Sequence, residues 1–441
     1  MSTRVFKRIY ICLGACKRGF RAIGRDLLGV DGAFMKEPAI GHLLTAVGLD
    51  SNNGIYPVAY AIVESECYDS WCWFLELVAS DLELDEMCNF TFISDRQKVL
   101  VSAVAKVFPV AEHRFCLRHI HENMKKNWRG VAYKNHLWAC ATATTVPQFE
   151  KKMALLKEFS EPAYVYLSKI PPAQWARSHF TGRALSDILL NNICEVLNRW
   201  LCEARDKPII TALEYIRQYL MKRIANVITA ISKCNTPLTL GATKVFDKVK
   251  KEAMKCDVIW NGDEKYQVNG HHDDQVVVDM GAKNCSCRKW DLTGIPCKHA
   301  VAALLNMACY SQEVFLEKWV HPVYWVSTWK STYSHTINPV RGKSEWTKSP
   351  IPTTLIPPKF HATPGRPKKN RKKSLDEKDE MVTNGKLTRK GKTIKCGDCG
   401  TYGHNKRGCT KDKPTPSLKR KGGDGDGNGR NKKVKAATSD V

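Results

Sequence analysis

Short apolar runs along the first hundred residues predict strands and helices in turn. Residues 5–12 and 27–36 read as strands, and so do the apolar runs His42–Leu49 and Ile55–Val63. The segment Asp50-Ser51-Asn52-Asn53-Gly54 parts the last two, and Asn-Gly between apolar runs signals a hairpin. Residues 70–82 place Trp71, Phe74, Leu75 and Val78 at helical spacing. A strand over 89–94 follows, then a helix with the stripe Leu100, Val104, Val107 and Phe108, which Pro109 stops.

From 121 to about 231 the pattern turns mainly helical. A helix over 187–204 carries the stripe Ile193, Val196, Leu197, Trp200 and Leu201. Asn191, Glu195 and Asn198 lie off that stripe, and periodicity alone makes Glu195 a solvated surface residue. Residues 256–282 alternate like a small sheet, and 298–307 read as a helix. Beyond Trp346, Pro-rich stretches and Lys/Arg runs make a disordered basic linker over 346–392 and a basic tail over 413–441.

Composition sharpens this picture. The chain has 441 residues, 43% of them hydrophobic, enough for two or three compact units. Residues 361–441 hold 23 Lys+Arg against 9 Asp+Glu, within a total net charge of +25. So basic a chain implies a polyanionic partner, most simply nucleic acid. The 18 cysteines read as reduced thiols, some of them metal-bound, because no export signal is convincing. The apolar run 9–16 is too short for one, and Lys17-Arg18 follow at once. No run reaches the roughly 20 apolar residues of a membrane span.

Four chemical features stand out. Asp31 and Asp95 each close an apolar strand, where two carboxylates could share divalent cations; singly, each is more often a turn or cap residue. Cys285, Cys287, Cys297 and His299 form C-x-C, nine residues, C-x-H, four ligands suited to tetrahedral zinc. Cys396, Cys399, His404 and Cys409 have the C-x2-C-x4-H-x4-C spacing of a zinc knuckle over 393–412. Such a unit folds on its metal and either stacks single-stranded bases on Tyr402 or docks protein. Finally Gly365-Arg366-Pro367-Lys368-Lys369 suits nuclear import first, with minor-groove DNA contact as a second role for Arg366, Lys368 and Lys369.

The order of three strands, a helix, a strand and a helix from residue 27 is how a ribonuclease-H-like core begins. Three passages resemble the transposase of Mutator-like elements (MULE), whose domesticated relatives include far-red-response transcription factors. They are Asp31-Gly32-Ala33-Phe34-Met35-Lys36 through to Trp71-Cys72-Trp73-Phe74; Ser94-Asp95 through His113 to His119; and Asn191-Asn192-Ile193-Cys194-Glu195-Val196-Leu197-Asn198. The C-x-C/C-x-H cluster resembles the SWIM zinc finger of that family. The fold class expected is therefore α/β. A ribonuclease-H-like DDE core over 1–232, with a helical insertion at about 121–185, precedes a SWIM region over 250–325, the linker and the knuckle.

The resemblance implies that Asp31, Asp95 and Glu195 are the catalytic acids, reversing the solvated reading of Glu195. They would hold two Mg²⁺, with two structural Zn²⁺ elsewhere. The activity implied is phosphodiester nicking at element ends and strand transfer without a covalent enzyme intermediate. The Cys116-x-x-His119 pair matches a family element whose role the residues do not reveal. Relatives usually carry an N-terminal DNA-binding module, whereas this chain starts about 30 residues before Asp31; the expectation on that ground is a truncated gene model, a decayed copy or a domesticated product. The partners expected are DNA, single-stranded nucleic acid at the knuckle and a further copy of the chain, with no membrane; the compartment expected is the nucleus. Two rivals stay open: a non-catalytic nuclear DNA-binding regulator and a metal-dependent RNA nuclease.

Overall fold

A computed structural model describes residues 2–36, 41–85, 87, 90–270, 275–310, 314–347, 350, 353–356, 382–383, 386–387, 396 and 399. The chain divides into two units, Met1–Pro364 and Gly365–Val441.

In the first unit the order is β1 (Ser2–Val5), β2 (Ile9–Ile11), α1 (Gly14–Ile23), β3 (Leu27–Phe34), β4 (His42–Leu49), β5 (Ile55–Val63), α2 (Tyr68–Leu82), β6 (Thr91–Ser94), α3 (Lys98–Val107) and β7 (Glu112–Phe115). Six of these strands form one mixed sheet in the order β2-β5-β4-β3-β6-β7. The β2, β5, β4 and β3 neighbours are antiparallel, while β6 runs parallel to β3 and β7 parallel to β6. The β4–β5 hairpin turns where Asn-Gly predicted, with Asn53 at a positive φ of 57°.

Two departures from the apolar pattern have clear causes. The single strand expected over 5–12 divides: β1 pairs in parallel with β12 (Thr353–Ile356), and β2 pairs with β5. Helix α1 went unread because Gly14, Lys17-Arg18 and Gly19 break its apolar run. Its buried residues Ala15, Cys16, Gly19, Phe20 and Ile23 nevertheless fall on one side. Gly19 is required there, since a Cβ would collide with the Tyr56 hydroxyl and the Thr332 carbonyl.

Alternation along the strands gives the sheet two apolar faces. Leu28, Val30, Leu44 and Ala46 pack with α1, α2 and α3; Trp71, Phe74, Leu75 and Val78 are fully buried there, each contributing about 1.5–3 kcal/mol. Leu27, Leu43, Val47, Ile62 and Ile93 pack on the other face.

Between β7 and that second face come α4 (Leu117–Met124), α5 (Val131–Thr142), α6 (Val146–Phe159) and α7 (Glu161–Ser168), then two 3-10 turns. They enclose their own core of Leu117, Ile120, Leu137, Leu156 and Trp175. The helix expected over 187–204 is shorter, α8 (Asn192–Trp200). The segment before it is pulled out of helical geometry: Leu189 O accepts from Leu117 N at 2.7 Å and Asp187 O from Arg177 Nε at 2.8 Å. With α9 (Ile209–Ile231), α8 covers the second face.

The rest of the unit comprises α10 (Leu240–Ala253), β8 (Asp257–Trp260), β9 (Lys265–Asn269), β10 (Gln275–Asp279), β11 (Asn284–Cys285), α11 (Lys289–Thr293), α12 (Lys298–Tyr310) and α13 (Val326–Thr332). The small antiparallel sheet β11-β10-β9-β8 buries Val268 and Val278 with Ala300 and Val301 of α12. No helix among the described residues is long and apolar enough to cross a membrane.

In the second unit the described residues form a short hairpin, β13 (Val382–Thr383) with β14 (Lys386–Leu387), and a buried Cys396. Arg366, Lys368, Lys369, Tyr402, His404, Cys409 and the tail over 413–441 lie outside the described residues.

Candidate functional site

The site begins with the alternation of β3. Leu28 and Val30 point toward α2, which leaves Leu27, Gly29 and Asp31 on the α8 side. Gly29 is where α8 comes closest. A Cβ at that position would lie 2.7 Å from Asn191 Oδ1 and Ile193 Cδ1, and 2.9 Å from Cys194 Sγ. Bare backbone there lets Asn191 Nδ2 donate to Val30 O at 3.1 Å.

The consequence appears two turns along α8, where Asn198 Nδ2 donates to Asp31 Oδ2 at 2.8 Å. Asn191, Glu195 and Asn198 are spaced i, i+4 and i+7, so they share one side of the helix. That side turns toward the end of β3, which corrects the periodicity reading of Glu195.

Asp95 follows β6, the parallel neighbour of β3, so the two aspartates leave adjacent strand ends. Gln97 N donates to Asp95 Oδ1 at 3.1 Å, and Ser94 Oγ donates to Asp95 O at 2.6 Å. Burial raises the Asp31 carboxyl to about 7; Asp95, Glu66 and Glu195 add to the rise, and His119 opposes it. The structure thus brings Asp31, Asp95 and Glu195 into one electrostatic neighbourhood.

Glu66 is a fourth carboxylate that the apolar pattern did not reveal. It sits between β5 and α2, where Trp71 Nε1 donates to its Oε1 at 3.3 Å. Gly32 leaves room for it, because a Cβ there would lie 2.5 Å from Glu66 Oε1. Burial, then the charge of Asp95, raises its pKa. The only available signal was an acid placed just before an aromatic-rich helix.

Glu195 forms an ion pair with Arg118 of α4. Its carboxylate also lies with the Cys116 thiol and the His119 imidazole, one ligand atom of each falling within 4.8 Å of the others. Contact with Cys116 raises His119 to about 8, against burial, with the charges of Asp95 and Glu195 adding.

A second cluster lies in the small sheet. Cys285 ends β11, Cys287 follows it, Cys297 precedes α12, and His299 stands in the first turn of that helix. All four are buried, with ligand atoms within 4.8 Å of one another. Both Cys285 Sγ and Cys297 Sγ are 3.8 Å from His299 Nδ1. Hydrogen bonds with Cys285 and Cys297 hold the Cys287 thiol far below its ordinary range, and the bond with Cys287 pushes Cys285 up. Three thiols and an imidazole so gathered fit a structural zinc. Between two of them Arg288 adopts a φ of 62°, and its guanidinium donates to Phe180 O at 2.6 Å and Thr144 O at 3.4 Å. This fastens the cluster to the helical segment, a contact that spacing alone could not reveal.

Beside this cluster runs a cleft of about 1100 Å³. Trp138, Lys289 and Lys298 line it with Arg177, which pairs with Asp187, and Lys248, which pairs with Glu252, together with Asn192 and Ile193 at the start of α8. Cations around an aromatic suit a phosphate-bearing strand.

Comparison with known proteins gives three matches. The MULE transposase domain model matches residues 27–123, and the SWIM zinc finger model matches residues 275–307. Protein FAR1-RELATED SEQUENCE 5 of Arabidopsis thaliana is 23% identical over 309 residues, which is 60% of this chain and 38% of that protein. The chain therefore spans well under half the length of the curated relative it matches.

Proposed function

We propose, for a chain that carries a MULE transposase domain and a SWIM zinc finger, a Mutator-like DNA transposase or a protein derived from one. Its first domain is a ribonuclease-H-like core in which Asp31, Asp95 and Glu195 are the acids of phosphodiester cleavage and strand transfer. The observation that carries this reading is the approach of α8 to β3. Asn198 bonds Asp31 from the same side of the helix that bears Glu195, and Asp95 closes the adjacent parallel strand.

The donor set fits a hard divalent cation: burial first, and then the charges of Asp95, Glu66 and Glu195, lift Asp31 to about 7, and a cation bound among these carboxylates would offset both. Asp31, Asp95 and Glu195, with Glu66 beside them, would hold Mg²⁺; bound there, it would activate a water or DNA 3′-OH and stabilise the leaving oxygen. The chain's own residues do the positioning. Asn198 fixes one oxygen of Asp31, and the backbone N–H of Gln97 fixes one of Asp95. Lys248, Lys289 and Lys298 along the cleft attract the DNA backbone. The SWIM cluster holds its zinc as a structural brace, the knuckle holds a second, and the basic tail directs the protein to the nucleus.

A second reading, a domesticated nuclear DNA-binding regulator without cleavage, draws on the Arg118–Glu195 ion pair. A cation already paired with the third acid suits a scaffold as well as a resting enzyme. Labelled terminal-repeat DNA incubated with Mg²⁺ or Mn²⁺ separates the two. The transposase reading expects nicking that Asp31→Ala, Asp95→Ala and Glu195→Ala each abolish. Equal activity in wild type and variants would refute it, and binding without nicking would favour the regulator.

A further inference from the structure

One cluster is left without work by that reading. Cys116 and His119 sit at the start of α4, three residues apart, so thiol and imidazole lie on one side of its first turn. Their position is pinned from three directions. Cys116 N donates to Ser94 O at 2.7 Å, next to Asp95; Leu117 N donates to Leu189 O at 2.7 Å; and Asn191 N donates to Cys116 Sγ at 3.3 Å. The last two bonds dock the segment leading into α8, and so bring Glu195 against the pair.

We propose that Cys116, His119 and Glu195 form a further zinc site, separate from both cysteine clusters and open at its fourth position. Three observations point to it. The three side chains each offer a ligand atom within 4.8 Å of the others. His119 makes a hydrogen bond with Cys116, and its buried Nδ1 has no hydrogen-bond partner among the described residues, so that nitrogen's lone pair or proton is unused. The Cys116 sulfur is fully buried and accepts from Asn191 N at 3.3 Å, so it faces the segment that leads into α8 and carries Glu195.

Donor chemistry selects the ion. A thiolate and an imidazole are soft and borderline ligands that Mg²⁺ declines and Zn²⁺ prefers, while three protein ligands leave a coordination position open. Zinc ligands in a tetrahedron stand closer than 4.8 Å, so loading draws the three together. Arg118, paired with Glu195 Oε2, gives up that partner or keeps it through one carboxylate oxygen while the other meets the ion.

The site has a consequence that rests on Glu195 being the third acid of the proposed reaction. Zinc held by Cys116 and His119 would take one oxygen of Glu195 while Arg118 holds the other, which turns this carboxylate away from the acids that would hold Mg²⁺. The pair then acts as a zinc-operated brake on strand cleavage.

The test uses the full chain, loaded with Co²⁺ as a spectroscopic stand-in for Zn²⁺ and dialysed free of excess metal. Wild type is expected to bind one Co²⁺ more per chain than either Cys116→Ser or His119→Gln, with the charge-transfer bands of the SWIM cluster equal in all three. His119 is only partly buried, so His119→Gln remains informative if Cys116→Ser fails to fold. Equal metal content in wild type and a folded His119→Gln overturns the site. The brake is tested separately: one equivalent of Zn²⁺ beyond the structural complement should cut Mg²⁺-driven nicking at least tenfold, and unchanged nicking overturns the brake. A wild type that never nicks contradicts the transposase reading, while the cobalt count still decides the site.

Discussion

Asn198 reaches across to Asp31, its Nδ2 donating to the carboxylate's Oδ2 at 2.8 Å although 167 residues separate them in the chain. The bond leaves the other carboxylate oxygen directed by whatever else enters the cluster. Groups that orient a metal-binding carboxylate without touching the metal typically matter 10–100-fold. Replacing Asn198 by Ala is therefore expected to lower Mg²⁺-dependent nicking by about 10–100-fold and to raise the Mg²⁺ concentration needed for half activity. Circular dichroism should stay unchanged. A fall in melting temperature that accounts for the whole activity loss would count against an orienting role.

The approach of α8 depends on Gly29. An added Cβ would meet Asn191, Ile193 and Cys194 at 2.7–2.9 Å, and all three belong to a helix held on both sides. Overpacking of this kind costs about 1–3 kcal/mol, so Gly29→Ala should lower the unfolding free energy measured in urea by that amount and weaken nicking as well. Its neighbour gives the control. Gly24 has a φ of 67° and nothing within 4 Å of an added Cβ, so Gly24→Ala tests backbone strain without crowding.

Much of this arrangement was legible in the chain, and the illegible part has a common cause. The β4–β5 hairpin followed from Asn-Gly, α2 from the spacing of Trp71, Phe74, Leu75 and Val78, and the four-ligand cluster from the intervals between Cys285, Cys287, Cys297 and His299. Each of those signals is local. The face of α8 that bears Glu195 was not legible from periodicity, because an apolar stripe tells which side is buried in core and nothing about what the polar side meets. Resemblance to the MULE transposase supplied Glu195 instead. Glu66 escaped both routes, since it lies on a connection and owes its place to Trp71 and Gly32. The length of α8 was overestimated for a similar reason: Leu189 hydrogen-bonds to Leu117 of α4 and Asp187 to the Arg177 side chain, which competes with helix.

The four-ligand cluster binds the small sheet to α12 and, through Arg288, to the helical segment that carries Phe180. Removing one thiolate should therefore loosen more than the finger. Cys297→Ser is expected to lose on the order of one zinc per chain, measured by metal analysis after purification under reducing conditions. Proteolysis should then begin within 256–310 and extend to the segment that Arg288 holds. Zinc content equal to that of wild type would remove the cluster as a metal site.

His113 supplies a pH dependence whose sign can be worked out in full. Its Nε2 lies 2.7 Å from Ser94 Oγ, and burial lowers its pKa from 6.5 to about 4. Above pH 6.5 the imidazole is neutral in both folded and unfolded chains and has no effect on stability. As the pH falls, the unfolded chain takes up a proton that the folded chain refuses, so stability is lost between about 6.5 and about 4 and the loss then levels off. At pH 5 this amounts to about 2 kcal/mol. Gln in place of His113 keeps a hydrogen-bonding group near Ser94 without titrating in that window. Urea unfolding of wild type and His113→Gln at pH 7 and pH 5 should show the wild type losing about 2 kcal/mol more than the variant. Parallel losses in the two would mean that His113 protonates as readily in the fold as out of it.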